Sequence, residues 1–308
     1  MEKVCILLST YNGESFLEEQ LQSLKKQIGV ETCLMIRDDG SSDNTIQIIN
    51  RWQSNNPGWI TLEKGKNLGF FKSFSKLLCL ALKQHPDAQY FAFCDQDDVW
   101  LEKKLSTAIN QLKRLNSERP LLYFSNLTVV DNNLQETCSF WKDGEVEISK
   151  HRALVQNFAP GCTEVFNRLA AEAYAQHYPQ KAKFHDYLMY LICVFIGNVF
   201  YDENSYILYR QHQNNTVGYV NRMQVYFRFF KRLFHRKENK YGSYEFAVDF
   251  LDSFKSYLSV EDILIINELI NYKSSFWAKL ALIFNNKIKS SKIESNILFK
   301  VKVLMGWL

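Results

Sequence analysis

The sequence predicts an α/β protein built on a largely parallel sheet with helices on both faces. Short apolar runs alternate with amphipathic stretches through the first hundred residues, at the pitch of βαβ units. The first four runs each end in a polar motif, so four such motifs gather on one rim of the sheet. In open α/β sheets that rim, outside the carboxyl ends of the strands, is where ligands bind.

VCILLS (4–9) reads as the first strand. SFLEEQLQSLKKQ (15–27) follows as a helix, with Phe16, Leu17, Leu21 and Leu24 at helical spacing. TCLMIRDD (32–39) is a strand that runs into a carboxylate turn, and DNTIQIINRWQSN (43–55) a helix capped near Ser42 or Asp43. WITLEK (59–64) is a short strand, FFKSFSKLLCLALKQ (70–84) a helix, and QYFAFC (89–94) a buried strand. WLEKKLSTAINQLKRLN (100–116) reads as a helix that starts directly after three acids, with Asp98 as its cap. LLYFSNLTVVD (121–131) is a candidate strand pair, and PGCTEVFNRLAAEAYAQH (160–177) a turn followed by a helix. DYLMYLICVFIG (186–197) reads as a buried helix and NVFYDENSYILYRQH (198–212) as strand. VEDILIINELINY (260–272) and FWAKLALIFNNKIK (276–289) add helices near the end.

Composition places the 308-residue chain among globular proteins with a sizeable core, and the seven cysteines form no C-x-x-C pair. Scattered through apolar runs, they read as free buried thiols of a reducing compartment, hence a cytoplasmic protein. The apolar stretch after the first residues is about five long, short for a signal peptide, and no run reaches the roughly 20 residues of a membrane span. Charge is unevenly spread: residues 219–308 hold 15 Lys/Arg against 8 Asp/Glu, while residues 1–218 hold 22 against 25. The chain therefore divides into a mildly acidic α/β domain over 1–218 and a basic, aromatic-rich helical extension over 219–308. Within the extension, residues 222–240 carry seven Lys/Arg against one Glu, interleaved with Phe and Tyr, which reads either as a segment for an anionic membrane surface or as a charged helix packed on the preceding domain. No nucleic-acid-binding signature accompanies it, so nucleic acid is not an expected partner.

The rim motifs carry the chemistry. Asp95 and Asp97 have the D-x-D spacing in which two carboxylates can face one divalent cation and a diphosphate; the plainer reading is a helix-cap cluster. RDDGSSD (37–43) reads either as a tight turn or, through its paired acids, as a site for a donor such as a base N–H. Lys72, at a helix start, could pair with phosphate or simply be solvated. A second group consists of His185-Asp186 ahead of an apolar helix and Tyr209-Arg210-Gln211-His212 after a strand, where His212 is free to be a ligand. The chain has neither G-x-G-x-x-G after its first strand nor a P-loop, which disfavours dehydrogenases and P-loop NTPases. A nucleotidyltransferase would want a glycine-rich basic loop where STYNGE stands.

STYNGE, RDDGSSDNT, NLGFFKSF and DQDDVWLEKKL, in this order, resemble the glycosyltransferases of family 2, which have the GT-A fold. FCDQDDVW, PGCTEVFNR, HDYLMYL and YRQHQNNTVG resemble more narrowly a bacterial rhamnosyltransferase-like branch, over about residues 3–218. The resemblance implies an inverting, metal-dependent transferase that uses Mn²⁺ or Mg²⁺. Its donor would be a nucleotide-sugar, dTDP-rhamnose first and UDP-hexoses next. Its acceptor would be a glycan or lipid-linked glycan of bacterial surface polysaccharide, met at the inner face of the cell membrane. It further implies that Thr10, Tyr11 and Asn12 line the base and ribose pocket, that Asp39 meets the nucleobase, and that Lys72 and Arg210 belong to the donor site. Asp95 would approach ribose or metal, Asp97 would hold the metal with His212 as a further ligand, and Asp186 would be the general base. Many relatives have Glu-Asp where this chain has His185-Asp186.

Overall fold

The computed structural model describes residues 1–177, 184–212 and 242–308. The segment 222–240 and the expected boundary at 218/219 lie outside the described residues. The first half alternates as its pattern requires: β1 (Lys3–Thr10), α1 (Leu17–Lys25), β2 (Glu31–Asp38), α2 (Thr45–Asn55), β3 (Ile60–Lys64), α3 (Phe70–Gln84) and β4 (Tyr90–Cys94). There follow β5 (Val99–Trp100), α4 (Lys104–Leu112), β6 (Leu121–Val130), β7 (Glu136–Ser139), α5 (Lys150–Ala153), β8 (Val165–Asn167), α6 (Arg168–Gln176), α7 (His185–Ile196) and β9 (Asn198–Arg210). Four helices close the described chain: α8 (Ser243–Phe254), α9 (Val260–Ile270), α10 (Phe276–Phe284) and α11 (Ile293–Met305).

The strands form one sheet in the order β3-β2-β1-β4-β8-β6-β9-β5, with β7 beside β6. β1, β2, β3 and β4 are parallel, as right-handed crossovers through helices require, and β6 with β9 is parallel too. β8 runs antiparallel between β4 and β6, joining the two parallel parts. Alternate side chains of each strand enter different cores. Cys5, Leu7, Phe91 and Phe93 face α3, α6 and α7, while Val4, Ile6, Leu8 and Ala92 face α1 and α4. With both faces buried, β1 and β4 are largely apolar, whereas β7 and β9 carry polar residues at exposed positions. The closing helices share the first of these cores through Phe250, Ile266, Leu269 and Val303, and Tyr187 stacks on Phe246 at 4.7 Å.

Three local readings change. The helix expected from Trp100 begins only at Lys104, because Val99 and Trp100 pair antiparallel with Leu208 and Ile207 of β9. Asp98 therefore caps no helix; its Oδ1 instead accepts the backbone N–H of Arg210 at 3.2 Å. Residues 121–130 are one ten-residue strand rather than a pair, and its partners come from three other segments. The turn at 160–163 leads into the short strand β8 before α6 starts. The seven cysteines are free. Among the described residues, no helix is long and apolar enough to cross a membrane.

Candidate active site

The carboxyl ends of β1, β2 and β4 bring their polar turns to one rim, and hydrogen bonds between the turns fix it. Gln96, between the two acids of the D-x-D element, clamps the β1 end. Its Oε1 accepts from Thr10 Oγ1 at 2.6 Å and from the Tyr11 N–H at 2.9 Å, and its Nε2 donates to the Tyr11 carbonyl at 3.2 Å. Gly13 is needed at this crossing, since a Cβ there would lie 2.4 Å from Gln96 Oε1. Asn12 adopts φ 49° and ties β1 to the β2 turn: its N–H donates to Ser41 Oγ, and its Oδ1 accepts the Ser42 N–H at 2.8 Å. Tyr11 is left half exposed on the rim.

Asp39 is buried and paired with Arg37, and it accepts the N–H groups of Leu68 at 2.9 Å and Gly69 at 2.8 Å. Its carboxylate thus orders the loop between β3 and α3, and Lys72 stands exposed on the first turn of α3 beside it. Arg37 also donates to the Lys66 carbonyl at 3.0 Å, and Gly65 gives it room, because a Cβ there would lie 2.5 Å from Nη2.

The acids after β4 have three different surroundings. Asp97 meets His212, with Oδ2 and Nε2 2.8 Å apart, although 115 residues separate them in sequence. Arg210 lies buried behind this pair. Its guanidinium donates to the Asp97 carbonyl at 3.0 Å, to the Asn132 carbonyl at 2.6 Å and to the Glu19 carboxylate, and it stacks 4.7 Å from the Phe16 ring. Among its described contacts, Arg210 supports the acidic loop from beneath. Asp95 is partly buried; burial, with the Asp97 and Asp186 charges behind it, lifts its carboxyl to about 7. Asp98 is fully buried, and burial first, then its two acidic neighbours, holds its carboxyl well above the usual range. Asp95, Asp98 and the Cys162 thiol offer atoms within 4.8 Å of one another, but burial also raises Cys162 well above an ordinary thiol. A thiol is a soft donor, so that trio is a poor match for a hard cation such as Mg²⁺ or Mn²⁺.

The expected metal set is brought together only in part: Asp97 and His212 pair directly, but among the described residues Asp95, Asp97 and His212 do not all offer ligand atoms within 4.8 Å of one another. Carboxylate oxygens with one imidazole suit Mn²⁺ or Mg²⁺, which complete their shells with phosphate oxygens.

Asp186 occupies the first turn of α7. Its Oδ2 accepts from Asn157 Nδ2 at 3.0 Å and its Oδ1 from the Tyr187 N–H at 2.8 Å. Burial lifts it to about 6 despite those donors. The PGCT turn packs against it, and a Cβ on Gly161 would lie 3.0 Å from His185 Nε2 and 3.2 Å from Asp186 Cβ. His185 itself points into the core, stacked 4.0 Å from Phe74 and edge-on to Phe93 at 4.6 Å. Burial depresses it to about 3, so it is a neutral packing ring that seats the Asp186 turn.

Sequence reasoning missed Gln96, Arg37, Glu164 and Lys104. Glu164 is fully buried, and among the described residues neither carboxylate oxygen has a hydrogen-bond partner; burial, then Asp186, raises its carboxyl well above the usual range. Lys104 lies 3.8 Å from the centre of the Trp100 ring, and burial lowers it to about 8. The signal for Lys104 was present: it shares the apolar stripe of α4 with Leu105, Ala108, Ile109 and Leu112.

Residues 5–172 match the family model described as Glycosyl transferase family 2. Over 224 residues the chain is 29% identical to dTDP-rhamnosyl transferase RfbG of Shigella flexneri, covering 68% of this chain and 73% of that protein. Over 197 residues it is 25% identical to the UDP-Glc:alpha-D-GlcNAc-diphosphoundecaprenol beta-1,3-glucosyltransferase WfgD of Escherichia coli, covering 64% and 71%. Among solved structures, S. aureus TarS 1-349 in complex with UDP-GlcNAc superposes with a TM-score of 0.58 at 15% identity, covering 99% of this chain and 91% of that one. The mannosyltransferase PcManGT from Pyrobaculum calidifontis, in complex with GDP-Man and Mn²⁺, gives 0.51 at 14% identity, covering 99% and 76%. At those identities the likeness is one of fold, the GT-A fold.

Proposed function

Because the chain belongs to glycosyl transferase family 2, we propose that it moves L-rhamnose from dTDP-rhamnose to a hydroxyl of a glycan or lipid-linked glycan, inverting the anomeric centre. The observation that carries the mechanism is the placement of Asp186, a single carboxyl lifted to about 6 that faces the acids after β4. One direct displacement needs one base and no protein nucleophile, and Asp186 is poised to be ionised near neutral pH and to take the acceptor proton as the new bond forms. Thr10, Tyr11 and Asn12 would bound the base and ribose, with Gln96 holding their backbone in place. Asp39, through the loop it orders, and Lys72 would border the nucleobase and diphosphate, and Arg210 would hold the acidic loop to which the donor binds. Asp95, Asp97 and His212 would hold a divalent cation, which when bound neutralises the leaving diphosphate.

The rhamnosyl donor is supported by the likeness to RfbG, and a UDP-glucose donor by the likeness to WfgD. Transfer assays with dTDP-rhamnose and UDP-glucose, each with and without Mn²⁺, separate the two. Turnover of dTDP-rhamnose alone, and only with metal, is the expected result. Turnover of UDP-glucose alone moves the assignment to a hexosyl donor, and metal-independent turnover removes the cation.

A further inference from the structure

We propose that α10 and α11 form a docking surface for an anionic lipid bilayer. On α10, Phe276, Trp277 and Phe284 are 61%, 76% and 74% exposed. Their spacing of i, i+1 and i+8 puts them on one side of the helix, while Leu282 on the other side is buried in the core. On α11, Ile293, Ile297 and Leu304 are 76%, 50% and 50% exposed, at i, i+4 and i+11, and Phe299 and Val303 on its other side are buried. Lys279 joins the helices by donating to the Leu304 carbonyl at 3.3 Å, so the two apolar stripes adjoin. Large apolar side chains rarely gather on a surface that only water meets.

Charge chooses the occupant. Residues 276–305 contain six lysines against the single glutamate Glu294. A second copy of the chain docked here would bring these like charges together, whereas an anionic headgroup layer would neutralise them. Lys287, Lys289 and Lys292 lie on the connection between the helices, and Lys300 rises from within the α11 stripe, where its stem can lie along lipid with its ammonium at the headgroups. Helices of 9 and 13 residues are about 14 and 20 Å long, too short to cross a bilayer but suited to lying in its interface.

The surface deepens the proposal above by bringing the enzyme to lipid-linked acceptors, and it rests on that reading only for its purpose. Vesicle binding is read without donor, so its failure leaves the transfer reaction untouched. The test is flotation of the full chain with vesicles of phosphatidylcholine alone and of phosphatidylcholine doped with phosphatidylglycerol, alongside sedimentation velocity without lipid. The wild-type chain should float with the doped vesicles only. W277S/F284S should lower the bound fraction about tenfold, and K287E/K289E should remove the preference for anionic lipid, both with unchanged melting curves. The proposal is overturned if the wild type does not float, or if W277S/F284S floats as well as wild type. It is equally overturned if the wild type self-associates without lipid and W277S/F284S makes it monomeric.

Discussion

Replacing Asp186 with asparagine should sharply slow transfer while leaving the protein at least as stable. The carboxyl sits at about 6 in the fold against 3.8 in the unfolded chain. The folded state therefore holds the proton more tightly, so the penalty of ionising Asp186 is absent below pH 3.8 and complete above about 6. A displacement of about two pKa units corresponds to roughly 3 kcal/mol. Asparagine removes that penalty but supplies one acceptor oxygen where the carboxylate offered two, to Asn157 Nδ2 and the Tyr187 N–H. Losing one of those bonds costs about 1 kcal/mol. The balance above pH 7 is a gain of about 2 kcal/mol, a few degrees in Tm for a chain of this size. Loss of the base should lower kcat by about 10²–10⁴. Thermal melts at pH 5 and pH 8 and a kcat profile from pH 5 to 9 provide the measurements. The wild-type profile should rise through about 6. Near-wild-type turnover by folded D186N would refute the base, and a variant that melts several degrees lower at pH 8 would refute the account of its burial.

Chelation with EDTA should stop transfer and added Mn²⁺ restore it, and H212A should raise the metal concentration for half-maximal activity about tenfold, read by metal titration of the rate. Q96A should weaken nucleotide binding measured by calorimetry and cost about 1–2 kcal/mol in urea melts, since two donors at the end of β1 lose their acceptor. H185F should keep kcat within about threefold and resist acid better than wild type. The wild-type ring resists protonation down to about 3, so stability is lost as pH falls from 6.5 towards 3, and phenylalanine removes that loss; equal acid midpoints for the two proteins would contradict this.

What could be read from the sequence followed burial and local turn chemistry. β1, β2 and β4 are apolar runs because both of their faces are covered, and their ends are polar because the rim is open. β5 and β8 were illegible for the opposite reason. With two and three residues, they are strands only because β9, β4 and β6 lie beside them, and no local period encodes a partner that far along the chain. The pairing of Asp97 with His212 was expected as a shared role, but the buried guanidinium of Arg210 behind it was not. A Tyr-Arg-Gln-His run does not say which side chain turns inward.

The same limit explains the three acids. In sequence Asp95, Asp97 and Asp98 are equivalent charges in four positions, and repulsion is the only interaction the chain order shows. In the fold they are separated by what surrounds them. Asp98 is buried against the Arg210 N–H and holds its proton, which removes one charge. Asp97 has His212 beside it and the Arg210 guanidinium behind it, which offsets a second. Asp95 alone is left near its ionisation point, facing Asp186, so a cation arriving with a diphosphate would act first on Asp95. Binding of metal and donor together should then release about half a proton from Asp95 at pH 7, and more at lower pH, measurable as a buffer-dependent binding enthalpy, and D95N should abolish that dependence. An enthalpy independent of buffer in the wild-type protein would mean that Asp95 is already ionised and that the crowding is relieved elsewhere.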